Sequence, residues 1–267
     1  MKPLSIGKAW EETLAFVKRE GALLFPVAFL FLALPVVIFQ QVVPAELLSE
    51  MVKAGAGQGT PPTVPNIPAS FWLGFGLTMI VSLAGGLTLY ALALRPGISV
   101  REAMELGLRR LPILIGAGAL VALGTIVALV VISLIAGVLS IAIGKAAISM
   151  VTSAAVVGLV FGGVRLLLLN ALAIDRTVGP VDVVRQSWAL TRGQFWRLFA
   201  FVAVLIVLSI VTQTAVQSVF GVVGGLIGGA EIATFAAGLA TAALSAVIQV
   251  YFMVMSARIY RQLESVA

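Results

Sequence analysis

The feature that most constrains this chain is a series of long apolar runs, separated by gaps that are alternately basic and nearly free of cations. Each run is long enough to cross a bilayer as a helix, which needs about 20 residues. The sequence therefore predicts an all-α integral membrane protein with six transmembrane helices. These are expected over residues 21–43, 71–94, 112–138, 148–174, 195–220 and 233–257.

The composition indicates that lipid is the main solvent and narrows the chemistry. Charged residues make up 10% of the chain, against about 25% in a soluble domain. Histidine and cysteine are absent, which removes the commonest general base, thiolate chemistry and the usual zinc ligands. We therefore expect no metal site, no cofactor and no enzymatic activity. The net charge of +6 comes without a globular basic domain, so the predicted partner is anionic lipid and not nucleic acid.

The positions of the cations predict how the chain is threaded. Of the 17 Lys and Arg residues, fourteen fall in the two terminal tails and in the gaps after the second and fourth runs. The remaining gaps hold only Lys53 and Lys145, and Arg165 lies inside the fourth run. By the positive-inside rule, both termini are predicted to be cytoplasmic. The expected outer loops are a Pro- and Gly-rich segment over 44–70, opening with a short helix over 45–53, and the shorter segments 140–145 and 221–231.

Three segments that precede the odd-numbered runs resemble one another. Residues 5–20, 99–110 and 180–192 each place apolar side chains at helical spacing and end in basic residues. Such helices lie in the headgroup plane of an anionic leaflet, either as a collar that fixes topology, which is the favoured interpretation, or as a lipid-recognition surface. The chain is therefore predicted to be one membrane domain with a pseudo-threefold repeat. The repeat units are about 1–94, 95–175 and 176–267.

A recognisable pattern surrounds the third of these segments. It reads Ile174-Asp175-Arg176, then Gly179-Pro180, then Arg185-Gln186-Ser187-Trp188-Ala189-Leu190-Thr191-Arg192-Gly193-Gln194-Phe195-Trp196-Arg197-Leu198, with Arg165-Leu166 upstream. The pattern resembles that of bacterial proteins named for the glycerophosphodiester phosphodiesterase membrane domain. The resemblance implies a multi-pass protein of the bacterial inner membrane. It does not imply phosphodiester hydrolysis, because the chain lacks the catalytic domain with its histidines and acidic metal ligands.

Arg165 is the sharpest candidate site residue, because a charge inside a span is costly unless it is paired, reaches the headgroups or faces water. Two interpretations stay open. Arg165 binds a lipid phosphate or an anionic substrate, or it bonds backbone carbonyls or Asn170 and fixes helix packing. The other candidates for lipid or anion binding are basic residues of the second and third amphipathic segments and the start of span five: Arg101, Arg109, Arg110, Arg185, Arg192 and Arg197.

Polar side chains inside the later spans suggest a second kind of site. Gln213 and Gln217 lie one helical turn apart in span five, and Gln249 lies in span six. Together with Asn170 they could line a polar path, although hydrogen bonds between helices are the commoner role of such groups.

Regularly spaced glycines, such as Gly158 and Gly162, predict close helix packing or a homo-oligomer. For the pair Gly85-Gly86 in the middle of span two, packing is again the ordinary explanation, and span two is also the best place to look for a broken helix.

These observations favour a non-enzymatic inner-membrane protein that engages anionic lipids or organises partners at the cytoplasmic leaflet. The alternative is a small-molecule or lipid transporter with a polar path between the spans. A cavity shared by Arg165 and the glutamines would favour the transporter.

Overall fold

The computed structural model describes residues 5–43 and 68–265, and in this part of the chain the secondary structure is helical, with no strand. The predicted helix over 45–53 lies outside the described residues. The elements are α1 (Ile6–Ala28), a π-helical turn (Phe29–Ala33), α2 (Leu34–Val42), α3 (Ala69–Leu94), α4 (Val100–Ile143), α5 (Lys145–Arg165), α6 (Leu169–Asp175), α7 (Pro180–Leu190) and α8 (Phe195–Glu264).

Six helical stretches are long and apolar enough to cross a membrane. They confirm the all-α architecture and a layout compatible with a multi-pass membrane protein. The stretches are Ile6–Gln41, Ala69–Leu94, Val100–Ile141, Ile148–Asp175, Phe195–Gly229 and Ile232–Glu264.

Two of the three predicted amphipathic segments are continuous with the spans that follow them. The Ser99 side chain accepts from the backbone N–H of Glu102, whose carboxylate accepts in return from the N–H of Ser99, so a capping box starts α4. The helix then passes Pro112, where one hydrogen bond is lost, without ending. With 44 residues, α4 is about 66 Å long. Its basic first turns therefore extend beyond a hydrocarbon layer of about 30 Å.

The turns between spans three and four and between spans five and six are shorter than the sequence predicted. The first is made at Gly144, with φ of 69°, and the second at Gly228 and Gly229, with φ of −152° and 78°. The positive φ values at Gly144 and Gly229 are accessible to glycine at little cost. The prediction of a loop over 221–231 was wrong for most of its length, because the helix of span five continues to these two glycines.

Burial is concentrated at one end of the bundle, the packed end, which holds Leu94, Asp175 and Tyr260. Every residue of α3 from Gly85 to Leu94 is buried. The backbone N–H of Ser5 donates to Gln262 Oε1 at 3.3 Å, so the first described residue meets the last helix at this end. By contrast, only 6% of the most apolar window of span three is buried, and the same holds for span five. A bilayer would cover these surfaces.

A network of charged and polar side chains closes the packed end. The Arg261 guanidinium donates to the Leu94 carbonyl at 3.1 Å and pairs with Asp175 at 3.4 Å and Glu264 at 3.3 Å. The Tyr260 hydroxyl donates to Asp175 Oδ2 at 2.9 Å. Leu94, Asp175 and Glu264 are the last residues of spans two, four and six. The network therefore joins the ends of all three even-numbered spans.

Span two contains no helix break, the second possibility that the sequence left open, because α3 is unbroken through Gly85 and Gly86. Gly85 instead gives room to Phe31: a Cβ on Gly85 would overlap the Phe31 side chain. Gly158 and Gly162 have no such neighbour within 4 Å of a built Cβ. They make no close packing contact within the described chain, and a homo-oligomer through this face stays a prediction.

Substituting Gly85 tests the contact between α3 and the π-helical turn. Gly85→Ala is expected to lower the free energy of unfolding by about 1–3 kcal/mol, because the new methyl group must displace Phe31. Gly158→Ala, a matched control in open space, is expected to leave it unchanged or raise it by up to about 1 kcal/mol, because alanine is the better helix former. Denaturant-induced unfolding in mixed micelles measures both. Equal effects would contradict the packing described above.

Candidate functional site

The fourth span is interrupted directly after Arg165. The helix α5 ends there, and α6 begins at Leu169 after three residues in turn conformation. The N–H of Leu169, which in a continuous helix would bond the Arg165 carbonyl, bonds the Leu166 carbonyl instead at 3.0 Å. The Arg165 carbonyl is therefore released from the helical hydrogen-bond pattern in the middle of an apolar span.

Two hydroxyl groups of buried residues form hydrogen bonds with this carbonyl. Ser187, in α7, donates to the Arg165 oxygen at 3.0 Å. The hydroxyl of Thr191, just after α7, lies 3.2 Å from the same oxygen and 2.9 Å from the Ser187 carbonyl, so its one proton is shared between them. Both residues are fully buried. Because a polar group inside a bilayer must be satisfied by the protein, these two bonds fix α7 against the break in span four.

The side chain of Arg165 lines a cleft between α7, α4 and the break. This arginine cleft has a volume of about 790 Å³. Two further cations, Arg185 and Arg192, line the same cleft. The rest of the wall is apolar or aromatic: Leu120, Val121, Val181, Val184, Trp188 and Ala189.

The charge of Arg165 is held by aromatic faces. The guanidinium carbon lies 5.1 Å from the ring centre of Phe161 and 5.5 Å from that of Trp188, within the range of cation–π attraction. Its Nε and Nη1 atoms are buried and have no hydrogen-bond partner among the described residues. The three cleft arginines form no ion pair with any acidic side chain that the structure describes. The cleft therefore carries uncompensated positive charge.

The structure separates the other predicted cations from this cleft. Arg101, Arg109 and Arg110 lie in the first turns of α4, where Arg109 is exposed and pairs with Glu105 at 3.2 Å. Arg197 lies at the exposed start of α8 and does not line the cleft. Of the seven arginines that the sequence singled out, the structure brings three together.

A second cavity, the glutamine cavity, lies between spans one, five and six. Gln213, Gln217 and Gln249 all line it, as the proposed polar path requires, and Gln40 of α2 joins them. Arg165 lines only the arginine cleft, and the half-buried Asn170 lines neither cavity. The glutamines and Arg165 therefore do not share one cavity.

Sequence reasoning missed several residues that build these sites. Ser187 and Thr191 were quoted only as part of a motif, although their spacing of four residues puts both hydroxyls on one face of a helix. Gln40 was missed because it ends an apolar run, where a polar residue needs no special explanation.

At the packed end, the Tyr260 hydroxyl and the Glu264 carboxylate raise the pKa of the Arg176 guanidinium above its ordinary value. Arg176 also donates to Gln186 at 2.9 Å, which ties α7 to the same network.

Comparisons of the chain with protein-family models, curated proteins and solved structures find no match. The resemblance to the glycerophosphodiester phosphodiesterase membrane-domain family therefore stays a prediction from the motif quoted above.

Removing the hydroxyls that bond the Arg165 carbonyl tests the docking of α7. The double variant Ser187→Ala, Thr191→Val is expected to lower the free energy of unfolding by about 1–3 kcal/mol, because it leaves a buried carbonyl unsatisfied. Amide hydrogen exchange in α7 is expected to accelerate with it.

The matched control is Ser133→Ala, which removes an exposed serine whose hydroxyl bonds only its own helix. This variant is expected to be nearly neutral. Unchanged exchange of α7 in the double variant would contradict the proposed role of the two hydroxyls.

Proposed function

We propose that the protein is a non-enzymatic inner-membrane protein that binds the phosphate of anionic lipids at the cytoplasmic leaflet, through the arginine cleft. The observation that carries the proposal is the Arg165 guanidinium, which lines the cleft and whose Nε and Nη1 have no hydrogen-bond partner among the described residues. An unpaired guanidinium in an apolar setting is expensive. A phosphate oxygen supplies the missing acceptors and the opposite charge together.

The positions of Arg185 and Arg192 support the same ligand. Both are exposed at the cleft wall, and in the sequence Arg185 precedes Trp188 and Arg192 follows it. A basic residue close to an anionic membrane surface contributes about 1 kcal/mol to binding. The two arginines would therefore attract an anionic headgroup, while Arg165 would hold its phosphate.

The apolar wall of the cleft favours a lipid over a free anion. Leu120 and Val181 are exposed large apolar residues beside the arginines, and Trp188 is 44% exposed. Leu120 belongs to span three, whose surface is almost entirely unburied. Acyl chains lying along that surface would bring the attached phosphate to the cleft, whereas a soluble anion has no use for these contacts.

The orientation belongs to the proposal as well. With the packed end facing the cytoplasm, the arginine cleft, both termini and the basic first turns of α1, α4 and α8 all lie at the inner leaflet. In this arrangement the three predicted amphipathic segments form a basic collar, and the chain consists of three related units in one domain. The family resemblance, the bacterial inner membrane and a role in organising partners are parts of the same proposal.

A transporter is the second candidate. It gains support because three glutamines share a cavity that reaches Gln249, near the middle of span six. It loses support because Arg165 and Asn170 line no part of that cavity. Lipid binding is therefore the function that the geometry supports best.

Replacing Arg165 tests lipid binding directly. Arg165→Leu is expected to reduce retention of phosphatidylglycerol at least about tenfold, equivalent to about 1.4 kcal/mol. The reason is that the phosphate oxygens lose the guanidinium that donates hydrogen bonds to them. Native mass spectrometry of protein purified in a mild detergent measures the retained lipid. Retention of zwitterionic phosphatidylethanolamine is expected to stay unchanged.

The matched control is Arg109→Gln, which removes an exposed charge outside the cleft. The stability of Arg165→Leu in lipid-free detergent separates binding from packing. If Arg165 serves lipid binding, the free energy of unfolding of Arg165→Leu should be no lower than that of the unmodified protein, because the substitution removes an unpaired buried charge. Phosphatidylglycerol retention equal to that of Arg109→Gln would refute the proposal.

A further inference from the structure

The glutamine cavity has a chemical character that the lipid-phosphate proposal does not use. It has a volume of about 570 Å³. It lies between span one and spans five and six, which are the two parts of α8 before and after the turn at Gly228 and Gly229. Four carboxamides line it, those of Gln40, Gln213, Gln217 and Gln249. Its volume falls within the range of about 300–1,000 Å³ that is typical of small-ligand sites.

The polar groups of this cavity have unused hydrogen-bonding capacity. The Thr241 hydroxyl, on the wall, is buried and has no partner among the described residues. Within residues 5–43 and 68–265, none of the four carboxamides makes a hydrogen bond to another protein group. Sequence reasoning favoured bonds between helices for the glutamines of spans five and six, and the structure shows none of these bonds. Because unmet polar groups are expensive inside a bilayer, a ligand or water must satisfy them.

The lining also restricts the charge of an occupant. None of the fifteen described lining residues is ionisable. An ion in this cavity would find no counter-charge among these residues, which favours a neutral occupant. Each carboxamide both donates and accepts hydrogen bonds, and so do the hydroxyls of Thr241 and Ser245. This mixture matches a ligand whose own groups both donate and accept.

From these observations we infer that the glutamine cavity binds a neutral molecule bearing several hydroxyl groups. A hydroxyl group donates one hydrogen bond and accepts others, so adjacent hydroxyls can bridge neighbouring carboxamides. No aromatic residue is among the described lining residues, so stacking on a flat ring is not part of the recognition. The same chemistry is offered by a free polyol and by the sugar headgroup of an uncharged glycolipid. This site is separate from the arginine cleft and does not depend on lipid-phosphate binding.

The inference can be tested by measuring whether a ligand protects an introduced cysteine from labelling. Because the chain contains no cysteine, the introduced thiol is the only one that reacts. Ser245→Cys places it on the cavity wall. The protein is placed in phosphatidylcholine nanodiscs, which avoid sugar-headed detergents, and labelled with methyl methanethiosulfonate. The probes are sorbitol and monoglucosyl diacylglycerol, with diacylglycerol as the sugar-free comparison. At nine-tenths occupancy the labelling slows about tenfold, since only the empty fraction reacts.

Two variants serve as controls. Thr214→Cys lies on the same arm as Gln213 but outside the cavity lining, so neither probe is expected to change its labelling. Adding Gln213→Leu and Gln249→Leu to the Ser245→Cys protein is expected to abolish the protection, because the carboxamides that hold the hydroxyls are gone.

Each outcome decides the inference. Slowing by sorbitol identifies a free polyol site, and slowing by the glycolipid alone identifies a headgroup site. Fast labelling that neither probe changes shows a cavity filled with water only and overturns the inference. A thiol that does not react at all shows a closed cavity and overturns it equally.

Discussion

The interaction on which the site depends is the pair of hydrogen bonds that Ser187 and Thr191 donate to the carbonyl of Arg165. A helix break inside an apolar span frees a backbone carbonyl, which must then be satisfied by the protein. Here the hydroxyls come from a helix that lies outside the spans. The same docking places Trp188 against the Arg165 guanidinium and brings Arg192 to the cleft. One backbone defect thus determines both the position of α7 and the composition of the cleft.

The bundle is built unevenly along its length, and the two cavities follow from this. At the packed end, Arg261 and Tyr260 join the ends of spans two, four and six through Asp175 and Glu264. Away from that end, residues of spans one, five and six line the glutamine cavity, and the helices carry large exposed apolar side chains. A tight end with charged side chains and a looser apolar end are suited to binding at one leaflet with a polar pocket in the other half.

The sequence predicted the six long apolar helices because length and hydrophobicity are local properties: about 20 apolar residues in a row have few alternatives. It singled out Arg165 as a charge inside a span that needs an explanation. It did not predict that span four breaks after Arg165, since Leu166, Leu167 and Leu168 are all good helix formers. Gly85 and Gly86 accommodate Phe31 and Met253 from neighbouring helices, in agreement with the packing interpretation, and span two stays unbroken. Breaks and cavities are set by contacts between distant segments, which one sequence read alone does not display.

The most direct measurement of the central claim is the distance between the Arg165 guanidinium and a lipid phosphorus. Solid-state NMR on ¹⁵N-arginine-labelled protein in phosphatidylglycerol bilayers reports it through ¹⁵N–³¹P dipolar dephasing. A difference experiment against Arg165→Leu isolates the one arginine. The account predicts dephasing typical of a direct guanidinium–phosphate hydrogen bond, with nitrogen and oxygen about 2.8 Å apart, and its disappearance in the variant. Dephasing curves that are the same in both proteins would contradict it.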